Sequence, residues 1–240
     1  MASKNKSKIL VGLFTCICCG WILTNITSCG KNNTASPTGL NIRYEVFNLS
    51  PDLFPVNLFI DFRQVNTLQN PFVFAVPHGY FYVPSVDTPY QFRSNSVAGL
   101  TLFSRHDILK SGLTYSLFIV GARSDNSLTQ IFTVDTASAS TLGTGKVRFI
   151  DASPTGTSGF DVSANGTPAF SHIVYPNYSK YLELPVGNYD FKITTTGSSN
   201  ILKDLPGVTI QDGRLYTIYA YGYITRSDSA TFNAGVITNR

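Results

Sequence analysis

Three pairs of short segments recur along the chain in the same order, and this self-similarity limits the fold more than any other feature. Ile42-Arg43-Tyr44 leading to Asn48-Leu49-Ser50-Pro51 matches Val147-Arg148-Phe149 leading to Asp151-Ala152-Ser153-Pro154. Tyr90-Gln91-Phe92-Arg93 matches Tyr189-Asp190-Phe191-Lys192. Ser111-Gly112-Leu113-Thr114-Tyr115 with Gly121 matches Asp212-Gly213-Arg214-Leu215-Tyr216 with Gly222. The separations stay close to 100 residues, so a unit of about that length occurs twice, long enough to bury its own core. The expected organisation is a domain at 40–138, a linker at 139–145 and a second domain at 146–240.

Within each unit the apolar pattern has period two. Val56, Leu58, Ile60 and Phe62 alternate with polar or outward positions, as do Tyr189, Phe191 and Ile193 with Asp190 and Lys192. Such alternation buries one face of a strand. Asn165-Gly166 and Asp212-Gly213 are tight-turn dipeptides, and Pro185-Val186-Gly187 interrupts the chain between runs. After residue 40 no stretch keeps a helical period. The fold class that follows is all-β, two tandem immunoglobulin-like β-sandwich domains. Gly112 with Tyr115 and Gly213 with Tyr216 have the spacing of tyrosine corners, in which the hydroxyl bonds a backbone group upstream. An inter-sheet Cys pair and a core Trp, both immunoglobulin hallmarks, are absent from the sequence beyond Cys29.

The first 28 residues read as an address. Lys4, Lys6 and Lys8 precede an apolar stretch, Ile9 to Leu23, that is too short to span a bilayer comfortably, which favours a signal peptide. Ile26-Thr27-Ser28-Cys29 resembles the lipobox of bacterial lipoproteins. By that resemblance Cys29 becomes the acylated first residue of the mature chain, and several acyl chains make the anchoring stable. This reading stands ahead of an uncleaved signal anchor and of ordinary secretion. Cys16, Cys18 and Cys19 then leave with the leader, so no disulfide or thiolate metal site remains. Residues 29–39 read as a polar tether. The whole chain has 18 basic and 14 acidic residues, a formal charge of +4. Removing the leader takes away three Lys and no acid, leaving a nearly neutral body.

By Val147-Arg148-Phe149-Ile150-Asp151-Ala152-Ser153-Pro154, by Phe160-Asp161-Val162 leading to Asn165-Gly166, by Leu184-Pro185-Val186-Gly187-Asn188-Tyr189-Asp190-Phe191, and by Gly213 with Tyr216-Thr217, the chain resembles bacterial envelope lipoproteins that carry tandem copies of the domain of unknown function 4397. The first copy departs from it, with Val56-Asn57-Leu58 in place of the Phe160-Asp161-Val162 step, a longer interval between Pro84 and Tyr90, and no Asn-Gly turn. The resemblance implies an envelope location and a sandwich fold, and no activity.

Candidates for chemistry are few. Ser104, His106 and Asp107 lie too close along one extended segment to form a relay, because neighbouring side chains point to opposite faces. They read as a polar loop. His78 and His172 lack a second ligand at metal spacing and read as loop or strand-edge imidazoles. No catalytic residue, metal or cofactor is expected. Lys and Arg are scattered singly, which argues against a nucleic-acid partner. Tyr219, Tyr221 and Tyr223 fall on one face of the last strong strand, with Tyr175, Tyr178 and Tyr181 upstream. These rows read first as core or inter-domain packing and second as a ligand surface that stacks sugar rings.

The expected protein is thus a non-catalytic lipoprotein, a binding or structural scaffold held at the outer membrane through Cys29, with surface display slightly favoured over the periplasmic face. Its expected partners are the membrane and another envelope protein or a glycan. The alternative is an accessory glycan-binding lipoprotein of a polysaccharide-uptake system.

Overall fold

The structure, a computed structural model, describes residues 41–67, 70–85, 89–106, 108–155 and 158–239. The expected leader, with Ile26, Thr27 and Ser28, the lipidation site Cys29 and the tether 29–39 lie outside the described residues, as does Asp107.

Among the described residues every regular element is a strand. The first half contains β1 (Asn41–Asn48), β2 (Val56–Ile60), β3 (Arg63–Gln64), β4 (Phe81–Pro84), β5 (Tyr90–Ser94), β6 (Thr101–Arg105), β7 (Thr114–Val120) and β8 (Thr129–Val134). The second contains β9 (Thr144–Ala152), β10 (Phe160–Ala164), β11 (Thr167–Ile173), β12 (Leu182–Pro185), β13 (Gly187–Thr195), β14 (Ile201–Ile210), β15 (Leu215–Tyr221) and β16 (Asn233–Thr238). Two four-stranded sheets form in each half, ordered β4-β1-β7-β8 and β3-β2-β5-β6, then β12-β9-β15-β16 and β11-β10-β13-β14. Adding eight to each strand number of the first half gives the order of the second. In both halves one pair is parallel, β1 with β7 and β9 with β15, and all the rest are antiparallel. β9 takes in Thr144 and Gly145, the last two residues of the expected linker, because they pair with Pro185 and Leu184.

Each half is a sandwich with its own core. Ile42, Tyr44, Val46, Leu58, Phe92 and Leu117 meet between the first two sheets, and Val147, Phe149, Phe160, Val162, Phe191 and Ile218 between the second two. The connectivity differs from that of an immunoglobulin domain, in which strands A and B share a sheet while β1 and β2, like β9 and β10, lie in opposite sheets. Immunoglobulin strands B and C lie in opposite sheets, whereas β2 and β3, like β10 and β11, form a hairpin within one sheet. A two-residue turn enforces this. Asn165 and Gly166 both have positive φ, 49° and 80°, the geometry that joins adjacent antiparallel strands. In the first half Asp61 and Phe62 make the same turn, with φ of 49° and 60°. The alternation expected to run through Phe62 therefore stops at Ile60, and Phe62 is 71% exposed at the hairpin tip.

The tyrosine corners form as expected. Tyr115 Oη accepts from the Lys110 amide at 2.9 Å, and Tyr216 Oη accepts from the Gln211 amide at 3.1 Å, each five residues upstream. A second pair repeats as well: Tyr90 donates to the Pro84 carbonyl at 2.9 Å and Tyr189 to the Pro185 carbonyl at 3.0 Å. These bonds tie the crossing segments between sheets at one end of each sandwich.

Candidate functional site

β7, β9 and β15 are buried along almost their whole length, on both faces. A strand in a sandwich with one wet face would alternate. The cause is a third interior: the outer face of β4-β1-β7-β8 packs against the outer face of β12-β9-β15-β16, so residues 40–240 form one compact unit. Four sheets are layered, and the two inner ones are covered on both sides.

One end of this seam is apolar. Phe47, Leu49, Phe118 and Val120 from the first half meet Ile150, Ala152 and Tyr219 from the second. The ring of Phe47 stacks on Phe118 at 4.7 Å, and Tyr219 lies 5.4 Å from Phe47 and 6.0 Å from Phe118. Phe118 and Tyr219 hold the same place in the two copies, so equivalent positions meet, as at a self-complementary interface.

The other end is a closed polar ring. The Arg148 guanidinium, 2% exposed, forms a buried ion pair with Asp135 and donates to the Thr133 hydroxyl at 3.0 Å, the Val134 carbonyl at 3.1 Å and the Thr217 hydroxyl at 2.9 Å. Thr217 donates to Asn239 Oδ1 at 2.7 Å, and Asn239 Nδ2 donates to Tyr80 Oη at 2.7 Å. Tyr80 returns to Asp135 Oδ2 at 2.7 Å, where Ser116 also donates at 2.6 Å. The second Asp135 oxygen accepts from Thr133 at 2.9 Å as well as from Arg148. Asp135, Tyr80 and Ser116 belong to the first half, and Arg148, Thr217 and Asn239 to the second, so breaking the ring separates the halves. Burying two charges is tolerable only because nearly every lone pair and proton has a partner.

Aromatic rings close over both arginines. Arg148 lies 5.0 Å from the Tyr181 ring and 5.9 Å from Tyr178, and Arg43 lies 4.7 Å from the Tyr80 ring. Strand register corrects the expected match of the two arginines: Glu45, opposite Ser116, holds the place of Arg148, opposite Thr217, and Arg43 that of Lys146. Burial pushes the Tyr80 phenol well above its usual range, with Asp135 adding to the effect, so it stays a neutral donor. Glu45 also faces the seam, 2% exposed, accepting from the Gly79 amide at 3.1 Å; burial and then Asp135 raise its carboxyl to about 7.

The tyrosine rows are thereby divided. Tyr219 is 5% exposed and packed in the apolar seam, so it offers no surface to a ligand; the expected ligand face is corrected at this residue. Tyr221 is half-buried against Phe74 and Tyr219. Tyr223 lies beyond β15, half-buried, with Arg226 5.7 Å above its ring. Tyr175 packs on the seam, and Tyr178 and Tyr181 cover Arg148. Among the other candidates, His78 packs edge-on against Phe72 at 5.2 Å, with burial lowering its basicity. The His172 ring contacts the Ser158 carbonyl at 3.1 Å. Among the described residues no group of three or more His, Cys, Asp or Glu is placed to hold a metal ion. Pro168, Leu182, Leu184 and Tyr189 line a shallow groove on the second half without a charged residue.

Arg148 and Asp135 were not singled out from the sequence as site residues. A signal existed for Arg148: an arginine between Val147 and Phe149 in an otherwise apolar run has to be buried with a partner or face a second layer. Nothing local marks Asp135 or Asn239.

The fold and seam define a class: a double β-sandwich whose halves are joined by a buried ion pair and the hydrogen-bond ring around it. Residues 146–240, which make up the second half, match the family described as domain of unknown function (DUF4397). No curated protein matches the chain.

Proposed function

We propose that this protein is a non-catalytic lipoprotein of the bacterial cell envelope, anchored to the outer membrane through Cys29, and that its body is a rigid structural or binding scaffold. The observation that carries the scaffold reading is the ring of Asp135, Arg148, Thr217, Asn239 and Tyr80: a buried ion pair and its hydrogen-bond partners run across the seam between the two sandwiches. The anchor rests on the Ile26-Thr27-Ser28-Cys29 motif and the short apolar leader. We also take residues 40–138 to be a diverged copy of the second half, a reading supported by the shared strand order and by the paired tyrosine bonds.

Mass spectrometry of the mature N-terminus tests the anchor: a diacylated Cys29 is expected, and an unmodified Cys29 inside an intact leader contradicts it. Protease shaving of intact cells distinguishes surface display from the periplasmic face. For binding, immobilised 29–240 is expected to retain an envelope protein and no sugar from a glycan array. The glycan-binding alternative now rests on Tyr221 and Tyr223, and sugar retention abolished by Tyr223→Ala would favour it over the scaffold.

A further inference from the structure

We propose that the end of the molecule at which the chain enters β1 sits on the lipid surface, with Phe62, Ile108, Leu142 and Val186 as its apolar contact points. This rests on the reading of Cys29 as the lipid anchor and adds an orientation to it.

Strand register assigns these residues to one end. β1 begins at Asn41, opposite Pro84, and Pro84 accepts the Tyr90 hydroxyl. Tyr90 pairs with Ile60 on one side and Arg105 on the other, so the turns that follow β2 and β6 open at this same end. They carry Phe62 and Ile108, each 71% exposed. The second half points the same way. Asp135 bonds the Thr114 carbonyl as Asn239 bonds that of Leu215, and these equivalent residues meet across the seam in one polar ring. Leu142, 89% exposed, and Val186 therefore share this end, neighbours through the Val186 amide and the Gly143 carbonyl at 2.9 Å.

Phe62 is the telling residue. Its φ of 60° is one that a bulky side chain adopts only at a cost, and Asn165-Gly166 makes the same turn without it. A strained backbone that holds an aromatic ring out into water stabilises nothing within the fold; at a bilayer the ring has somewhere to go. Exposed Arg63 and Lys110 flank the two apolar tips, with exposed Asp61 on the other side of Phe62, and the two cationic stems are placed to lie along acyl chains with their charges among phosphates. Reach supplies the occupant. Residues 29–40 span at most about 40 Å even fully extended, so an anchored Cys29 keeps the entry into β1 within that distance of the headgroups and makes this the end nearest the anchor along the chain. The opposite end also exposes Phe54 and Val97, but it lies a strand length, about 25–30 Å, farther from the point where the chain enters β1.

The test uses residues 29–240 with a synthetic diacyl maleimide coupled to Cys29, the only thiol in that span, in vesicles of phosphatidylethanolamine and phosphatidylglycerol. Phe62→Trp and Val97→Trp each give a single-tryptophan protein. Brominated acyl chains are expected to reduce Trp fluorescence several-fold in Phe62→Trp and to leave Val97→Trp unchanged, with iodide in the buffer quenching the opposite variant. Ile108→Trp should behave like Phe62→Trp, which covers failure of either variant to fold. Equal quenching at both ends, or iodide quenching of Phe62→Trp as strong as that of Val97→Trp, overturns the proposal. Because the lipid is attached chemically, the outcome does not depend on native acylation, and failure of the anchor reading is seen separately in the mass of the native N-terminus.

Discussion

Arg148 makes more of the protein's cohesion than its neighbours do, because its loss leaves Asp135 buried without a counter-charge. Arg148→Met is expected to lower unfolding free energy by about 3–5 kcal/mol, measured by urea denaturation, whereas Arg148→Met with Asp135→Leu should lose less than the single variant; a single-variant loss under about 1 kcal/mol would mean the pair is not held. Glu45 sets a pH dependence of definite sign. Its folded carboxyl, raised to about 7 by burial and then by Asp135, lies above the value of 4.5 in the unfolded chain, so its contribution is complete only below that value and is lost as pH rises from there through about 7. Asp151, also raised to about 7 by burial, acts in the same direction. Arg43 and Asp135 are the charges facing Glu45, and Glu45→Gln, which keeps an acceptor for the Gly79 amide, should flatten the decline in urea midpoint between pH 5 and 8. At this scale the sequence was partly readable. The spacing from Gly112 to Tyr115 and from Gly213 to Tyr216 announced two hydrogen bonds, since a corner needs only local chain geometry. Asp135, Asn239 and Tyr80 could not be read, because their partners are brought together only when two separate sheets meet.

The hairpins show how one element tolerates different chemistry at the same step. In the second half Asp161 accepts from the His172 amide, the Thr196 hydroxyl and the Gly197 amide, pinning β10 to the loop after β13. Asn57 does the corresponding work in the first half, donating to Asn95 at 2.8 Å and accepting from Asn66 at 2.9 Å. The departure of Val56-Asn57-Leu58 from its counterpart thus preserves the contact and changes the donor pattern. Phe62→Gly should relieve backbone strain and stabilise the protein by about 1 kcal/mol, visible as a raised Tm, while weakening the lipid contact. Gly121 and Gly222 end β7 and β15 with φ of 81° and 79°, and a Cβ on either would run into the carbonyl of Ser127 or Thr231. Gly121→Ala and Gly222→Ala are each expected to cost about 1–3 kcal/mol. Strand positions were legible from alternation where one face is wet, as in β13. β7 and β9 read simply as strong apolar strands, since burial on both faces erases the alternation that would have revealed a second layer beside them.

As a whole the molecule is better described as one four-layered body than as two domains on a linker. Residues from both halves share the cluster of Phe47, Phe118, Ile150 and Tyr219, and the polar ring closes only when both halves are in place. A scaffold of this kind presents its loops at fixed distances and directions, which suits a protein that acts by holding a partner or a surface. The β class was visible in the sequence; the face-to-face docking was not, because the residues that drive it look like ordinary sandwich positions. Its most direct test is equilibrium urea unfolding of residues 29–240 with a tryptophan reporter placed in each half in turn, Phe103→Trp and Phe232→Trp. Coincident transitions in the two reporters, which separate when Arg148→Met is added, are the predicted result; two well-separated transitions in the protein with Arg148 intact would contradict it.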